Sequence, residues 1–420
     1  MKTREKIYKK HKSAIHSITS MLFRILTGPI SIFLVVNTLS IEQQAVYYSF
    51  LTISSIQWVF ELGVTTALIQ YIAKSSDWMR KEASIKLGCL FYILMSIMSL
   101  LAMLLYGFWL FSNIEINIWF GPFVFFIIFI SINVFINIAL IVEESVVSAE
   151  GVYLKKLLSS VIYSITLIGS LASQFELYSL AIAQIVMALF YVGILRKGFN
   201  IVRKSLSADM NMVRNVFFDV KGFQIKVALV WLVGYCYWNF YSIFSLKFVS
   251  ITFNAQFGIT NAVFSALALA ATSFLQTKRV DIGRAISEGN ILSSNKCFKS
   301  NLVISASFYL FSTIIFIFLF IFLSQDYSDR FLGLGLIVQY AILRFIAMIS
   351  EMLLIYLRMF LDEPIYKITM WNYIITPSTS IPSFYILGVD HLFVFPIISH
   401  MVFTLFYIKK SKVFINERLA

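Results

Sequence analysis

The residues able to do chemistry in this sequence are the polar ones that interrupt long apolar runs. Arg344 and Glu351 stand seven residues apart, two helical turns, and share one face of a segment otherwise made of Ile, Leu, Met and Phe. Tyr340 precedes them, and Arg358 continues the same face. Ser54, Gln57, Glu61 and Thr65 fall at i, i+3, i+7 and i+11, one polar stripe if the segment is a single helix. Arg24 lies about one turn inside the first apolar run, with Thr27, Gly28 and Ser31 on its face. A further run is aromatic: Trp231, Tyr235, Tyr237, Trp238, Phe240 and Tyr241, with Asn239 among them. A buried cation suits an anionic group, a buried carboxylate can hold a proton or a cation, and aromatic faces stack on sugar rings.

Each reading has a plainer counterpart. Arg24 can snorkel to the nearer interface. The Glu61 stripe can join helices rather than line a cavity. Arg344, Glu351 and Arg358 can form an internal ion pair that only holds a bundle. The outer aromatics can belong to an interfacial belt. An ionisable group at the centre of a membrane helix costs roughly 2.5–3.5 kcal/mol, so all of these charges are expected to face a partner or a cavity. The candidate binding set is Arg24, Gln57, Glu61, Trp231, Tyr235, Arg344 and Glu351, with no catalytic and no metal-binding residue.

The elements that must position them are membrane helices. The chain has 420 residues, of which 59% are hydrophobic and 13% charged, with a mean hydropathy of +0.84. An ordinary soluble domain is nearer 45–50% apolar and about 25% charged. The apolar excess runs along the whole length, which excludes both a soluble protein with one anchor and a disordered chain. Twelve stretches are long enough to span a bilayer: about 20–39, 45–72, 87–111, 119–142, 157–173, 177–195, 227–246, 254–276, 301–323, 331–357, 366–388 and 392–408. Pro377 and Pro382 must kink or break the eleventh. The basic N-terminus precedes an apolar run without a small-residue cleavage site, so the first helix is expected to be retained.

Lys and Arg set the orientation. With a cytoplasmic N-terminus, 30 of the 34 fall in inner segments and only Lys247 and Arg330 in outer loops. Arg24 and Arg344 lie within spans. Both ends are therefore expected inside. The net charge of +13 becomes a topology signal and an inner-leaflet contact rather than a nucleic-acid signal.

No phosphate-binding loop, metalloprotease helix, nucleophile elbow or Cys/His ligand cluster occurs. Cys89, Cys236 and Cys297 show no disulfide or zinc spacing, and the first two are expected as buried thiols. The four His are scattered. His391 beside Asp390 fits either an outer-face proton site or an ordinary loop pair, and His400 falls near the last helix. Built-in catalysis is not expected, and the protein reads as a transporter rather than an enzyme.

The two halves open alike. Leu39-Ser40-Ile41 with Ala45 recurs 210 residues later as Val249-Ser250-Ile251 with Ala255. In each half a span, a short outer loop, a second span and a basic inner loop follow in order. The expected architecture is all-α, with twelve transmembrane helices in two six-helix bundles, a parallel pseudo-repeat around a central cavity. The divisions are a basic arm (1–19), an N-terminal bundle (20–195), a cytoplasmic linker (196–226), a C-terminal bundle (227–408) and a cytoplasmic tail (409–420).

Two stretches carry a family resemblance. Arg24…Gly28-Pro29…Leu39-Ser40-Ile41-Glu42-Gln43-Gln44…Tyr47-Tyr48…Gln57…Phe60-Glu61-Leu62-Gly63…Gln70 resembles the opening of bacterial O-antigen flippases of the Wzx type. Trp231…Gly234-Tyr235…Phe257-Gly258…Asn261…Thr277-Lys278-Arg279…Ile282-Gly283 is similar to their seventh and eighth spans. These flippases form part of the polysaccharide-transport branch of the multidrug/oligosaccharidyl-lipid/polysaccharide (MOP) exporter superfamily. The resemblance implies that an undecaprenyl-diphosphate-linked oligosaccharide is moved from the cytoplasmic to the periplasmic leaflet of the bacterial inner membrane. It further implies a cationic, aromatic-lined cavity with alternating access, coupled to a proton or sodium gradient and without a cofactor. Glu61 and Glu351 depart from a purely cationic lining.

The physical requirements agree. A diphosphate needs Arg or Lys in a low-dielectric site, the saccharide needs polar and aromatic groups, and the polyprenyl tail stays in lipid. Arg24 and Arg344 are expected to engage the diphosphate, with Glu61 and Glu351 resetting them by protonation. The alternatives are a drug/cation antiporter of the same superfamily and a membrane polymerase or ligase acting on lipid-linked sugars. Buried Arg argues against the first, and the short outer loops argue against the second. The expected state is a monomer in the bilayer, with the polysaccharide polymerase and ligase as docking partners.

Overall fold

The computed structural model describes Phe23 and residues 27–61, 64–75, 77–360 and 364–419, and all regular structure among the described residues is helical. Among the described residues, seven helices are long and apolar enough to cross a membrane, or eight if the bent pair 178–194 and 196–205 counts as one. The protein is an all-α, multi-pass membrane protein. Not every expected span is a single helix. The first is described only in part, as α1 (Thr27–Thr38), and Arg24 lies outside the described residues. By contact density the chain divides into two compact units, 1–235 and 236–420.

In the first unit, α2 (Ile41–Ser54) starts at a capping box. The Gln43 amide donates to Ser40 Oγ at 3.1 Å, and the Ser40 amide donates to Gln43 Oε1 at 3.0 Å. The expected second span then breaks. A turn at 55–56 separates α2 from α3 (Gln57–Glu61), and α4 (Val64–Lys74) follows. The local sequence Thr-Ile-Ser-Ser explains the first break: Ser54 Oγ donates to the Leu51 carbonyl and Ser55 Oγ to the Thr52 carbonyl, each at 2.7 Å, competing with the helical ladder. The continuous stripe Ser54–Gln57–Glu61–Thr65 is therefore corrected, because the turn at 55–56 separates Ser54, at the end of α2, from Gln57 and Glu61 on α3.

Helices α5 (Trp78–Leu110) and α6 (Ile116–Val142) pack against each other. Gly107 lets them approach: a Cβ there would lie 2.3 Å from a Phe123 ring carbon. Phe50, Phe111, Trp119, Phe123 and Phe126 close the end where α5 turns into α6 as a cluster of stacked, tilted and edge-on rings. A π-helical turn (Glu143–Val147) ends at Ser148, whose Oγ caps α7 (Ala149–Ala172) by accepting from the Gly151 amide at 3.1 Å. Helix α8 (Tyr178–Ile194) packs on α6 and α7, then bends by 72° into α9 (Arg196–Ser205). The stretch read as a linker is thus helical, through α9 and into α10 (Met210–Phe244).

The second unit continues from the end of α10 through a π-helical turn (Ser245–Val249), α11 (Ile251–Ser287), α12 (Ile291–Ile321), the short α13 (Gln325–Ser328), α14 (Leu334–Arg358), α15 (Tyr366–Ser378), α16 (Ser380–Leu387) and α17 (Val394–Leu419). Helix α14 packs on α11, α12 and α17. Of its most apolar 18-residue window 61% is buried, against 17% for α12, whose Phe311, Ile314 and Phe318 point outward. Helix α12 therefore meets lipid, and α14 is the central helix of its unit. Cys89 is buried, but Cys236 is exposed, contrary to expectation. Leu232, one turn earlier on α10, faces outward with it.

Candidate functional site

Charged and polar side chains converge in the second unit around one face of α14. Arg344, Ala347, Ser350, Glu351 and Leu354 recur at helical spacing. All but Arg344 line a narrow cavity together with Tyr237 and Trp238 from α10, Asn372 and Tyr373 from α15, and His400 and Tyr407 from α17. About 10 Å³ of it is open to the centre of a water molecule, room for roughly one water.

Arg344 leans on Trp238, with its guanidinium carbon 4.8 Å from the ring centroid. Its Nε is buried and, among the described residues, has no hydrogen-bond partner. Trp238 is 41% exposed, so one aromatic surface remains open beside the cation. Arg344 and Glu351 share the face expected of them, yet they form no ion pair, and no hydrogen bond among the described residues reaches the Glu351 carboxylate.

At the centre is His400, 1% exposed, which sequence reasoning left without a role. Its Nδ1 lies 2.9 Å from the Tyr237 hydroxyl. Its Nε2 lies 3.4 Å from Asn372 Nδ2 and 3.3 Å from Ser350 Oγ. Asn372 Nδ2 also donates to Tyr407 Oη at 3.1 Å, and Asn372 Oδ1 accepts from Thr376 Oγ1 at 2.6 Å. Thr404 Oγ1 donates to the His400 carbonyl at 2.8 Å, so Ser350, 2.8 Å from that oxygen, is the donor to it. The Asn372 amide N–H₂ can only donate to Nε2, whereas Ser350 Oγ, its hydrogen given to Thr404 Oγ1, can only accept from it, so Nε2 meets one donor and one acceptor.

The break after α15 helps to place these groups. Pro377 has no N–H to give to the Tyr373 carbonyl one turn back, and Thr379 Oγ1 donates to the Thr376 carbonyl at 2.6 Å. The helix restarts as α16 beyond Thr379. The expected interruption at Thr-Pro-Ser-Thr thus falls beside Asn372 and Thr376. Asp390 and His391 lie exposed in a short 3₁₀ turn (Val389–His391) in which their carbonyls accept from Gln339 and Ser383.

The other described candidates belong to the first unit. Trp231 is in α10, with its side chain outside the described residues. Tyr235, half-buried, is the last residue of the first unit. Gln57 is half-buried in α3. Glu61 is buried at the end of α3 and accepts from the Thr65 hydroxyl. Thr65 Oγ1 lies 2.5 Å from the hydroxyl of Tyr92, which is fully buried on α5. The chain Tyr92–Thr65–Glu61 links α5 to α4 and to the end of α3.

No family model matches the sequence, and no curated protein matches it. Solved structures do. An inward-facing multidrug resistance transporter of the MATE family in the MOP superfamily matches with a TM-score of 0.71 at 14% identity, over 96% of this chain and 98% of that one. The lipid II flippase MurJ, in an inward closed conformation, matches at 0.68 and 13% identity, over 95% and 87%. A MOP superfamily transporter from Pyrococcus furiosus, described as having a binding pocket of reverse polarity, matches at 0.60 and 14% identity, over 97% and 96%. At this identity the likeness is one of fold: the chain has the fold of the MOP superfamily transporters.

Proposed function

We propose that the protein is a flippase that moves an undecaprenyl-diphosphate-linked oligosaccharide, an O-antigen repeat unit, from the cytoplasmic to the periplasmic leaflet of a bacterial inner membrane. The observation that carries this reading is Arg344. A guanidinium held on an aromatic face inside an apolar helix, with Nε unpartnered, is suited to a phosphate group. The open surface of Trp238 and the hydroxyl and amide groups of the cavity suit a saccharide. The likeness of fold to a lipid II flippase supports the same substrate class. In this proposal twelve spans form a 6+6 arrangement with both termini cytoplasmic, access alternates between the two sides, and protonation of Glu351 resets Arg344 by removing the opposite charge two turns away. Arg24 and Glu61 belong to the same hypothesis on the sequence pattern alone.

A second reading is a drug/cation antiporter. The multidrug transporters among the matched folds support it more directly than they support the flippase. Glu351, a carboxylate without a hydrogen bond at a cavity, would there hold the cation. One experiment separates the two. The gene is deleted in its host, surface polysaccharide is examined on gels, and lipid-linked oligosaccharides are assayed in each leaflet. Single repeat units stranded on the cytoplasmic leaflet support the flippase. Unchanged polysaccharide with altered drug tolerance supports the antiporter, and unpolymerised units on the outer leaflet point to a polymerase.

A further inference from the structure

Helix α9 carries a cationic face that the site above does not use. Gly198, Val202 and Ser205 turn inward, and the helix packs on α5 and α6. On the opposite face Arg196, Lys197, Arg203 and Lys204 are all exposed, and among the described residues none has an ion-pair or hydrogen-bond partner. No acidic residue falls within the helix. The acids nearby are engaged. Glu143 and Glu144 pair with Lys155 and Lys156, and Asp77 and Asp209 accept from backbone amides at helix starts. Glu82 accepts from the Trp78 indole.

The helix is fixed at both ends. Glu143 Oε1 accepts from the Gly198 amide at 3.0 Å, and Lys155 Nζ donates to the Ile194 carbonyl at 2.9 Å, which holds the elbow. Lys86 Nζ donates to the Ala208 carbonyl at 2.7 Å, which holds the far end. Gly198 sits so close to α6 that a Cβ would meet the Ala139 carbonyl oxygen at 2.5 Å. The 72° bend from α8 means that, with α8 crossing the bilayer, α9 runs nearer to the membrane plane than to its normal. Just beyond it Leu206, Met210, Phe217 and Phe218 are 46%, 56%, 47% and 56% exposed. Such apolar exposure marks contact with lipid rather than with open water.

We propose that α9 is a rigid docking helix for anionic phospholipid headgroups at the surface where α8 ends. Charge complementarity selects the occupant: four uncompensated cations within nine residues, flanked by outward apolar side chains, match a leaflet of phosphatidylglycerol or cardiolipin. The inference does not depend on which substrate the protein moves.

The test uses the full-length protein and native mass spectrometry with phosphatidylglycerol or phosphatidylcholine added to the detergent. Wild type is expected to retain phosphatidylglycerol at least tenfold better than phosphatidylcholine. The variant Arg196→Gln/Lys197→Gln/Arg203→Gln/Lys204→Gln is expected to lose that preference by tenfold or more, at roughly fivefold per charge. Arg196→Lys/Arg203→Lys keeps the charge and is expected to keep the preference, and it serves as the control if the quadruple variant folds poorly. Equal retention of the two lipids by wild type overturns the proposal, as does an unchanged preference in a folded quadruple variant. Loss of the preference in the Lys-for-Arg variant also overturns it. Equal competition by inorganic phosphate at the same concentration would replace the lipid surface with a free-anion site.

Discussion

The 2.9 Å contact between His400 Nδ1 and the Tyr237 hydroxyl joins the last helix to the aromatic pair that carries the half-buried Arg344. Tyr237 meets Trp238 edge-on with ring centroids 4.8 Å apart, and Trp238 carries Arg344. His400, Tyr237, Trp238 and Arg344 are therefore a contact chain across α17, α10 and α14. A change at the imidazole has a short path to the guanidinium through packed rings.

His400→Gln should preserve part of the network while removing the proton-accepting ring. If the imidazole participates in transport, this variant loses transport while still reaching the membrane. Transport at the wild-type rate would rule the His400 ring out. His400→Ala should instead leave Tyr237 and Asn372 short of partners, a loss of about 1–3 kcal/mol for each orphaned buried group, read as a lower unfolding temperature in detergent.

Arg344→Ala should abolish surface polysaccharide with the protein still inserted. Arg344→Lys is the sharper variant. It keeps the charge but loses the planar stack on Trp238 and the two-pronged geometry toward phosphate. Transport should fall by about tenfold, in line with a cation–π contact of roughly 0.5–2 kcal/mol. Full activity in Arg344→Lys would mean that only a positive charge is needed there. Normal surface polymer in Arg344→Ala would remove the diphosphate assignment.

What the sequence made legible, and what it hid, follows from the range of the interactions. The 210-residue repeat was visible as Ser40/Ser250 and Ala45/Ala255, and the structure gives each pair one local job. Ser250 Oγ accepts from the Phe253 amide at 3.0 Å, as Ser40 Oγ accepts from the Gln43 amide. Ala45 and Ala255 are both fully buried. Gln44 and Asn254, also 210 apart, are fully buried as well. These are i to i+3 relationships, which sequence spacing records directly. The shared face of Arg344 and Glu351 was legible for the same reason. The stripe through Glu61 failed because Ser54 and Ser55 bond back to carbonyls and interrupt the helix that the spacing assumed. His400 was missed because its partners lie 28, 50 and 163 residues away, and a lone histidine in an apolar run carries no periodic signal. The one available clue was the density of Asn, Thr and Ser on α15 and α17.

Thr65→Val should act on the first unit alone. It removes the hydroxyl between Glu61 and Tyr92 and leaves both short of a partner in a buried setting. The expected cost is about 1–3 kcal/mol in unfolding free energy. A cycle with Tyr92→Phe should give a coupling above about 0.5 kcal/mol, because neighbouring groups in one network do not act additively. Additive effects would show that the three residues are packed together but not linked.

Gly107 and Gly198 separate two kinds of close approach. A Cβ at Gly107 would meet the Phe123 ring, a side chain set in an aromatic cluster, whereas one at Gly198 would meet the Ala139 backbone carbonyl. A ring can tilt within its cluster, but a helix carbonyl cannot move without its helix. Gly107→Ala should therefore cost about 1–3 kcal/mol through overpacking. Gly198→Ala should cost at least as much despite alanine's better helix propensity, because it must push α9 off α6 and weaken the Glu143 contact to the Gly198 amide. Limited proteolysis reads the difference locally: Gly198→Ala should speed cleavage around 205–210, while Gly107→Ala leaves that rate unchanged. Equal cleavage in both variants would mean that α9 is not held by its approach to α6.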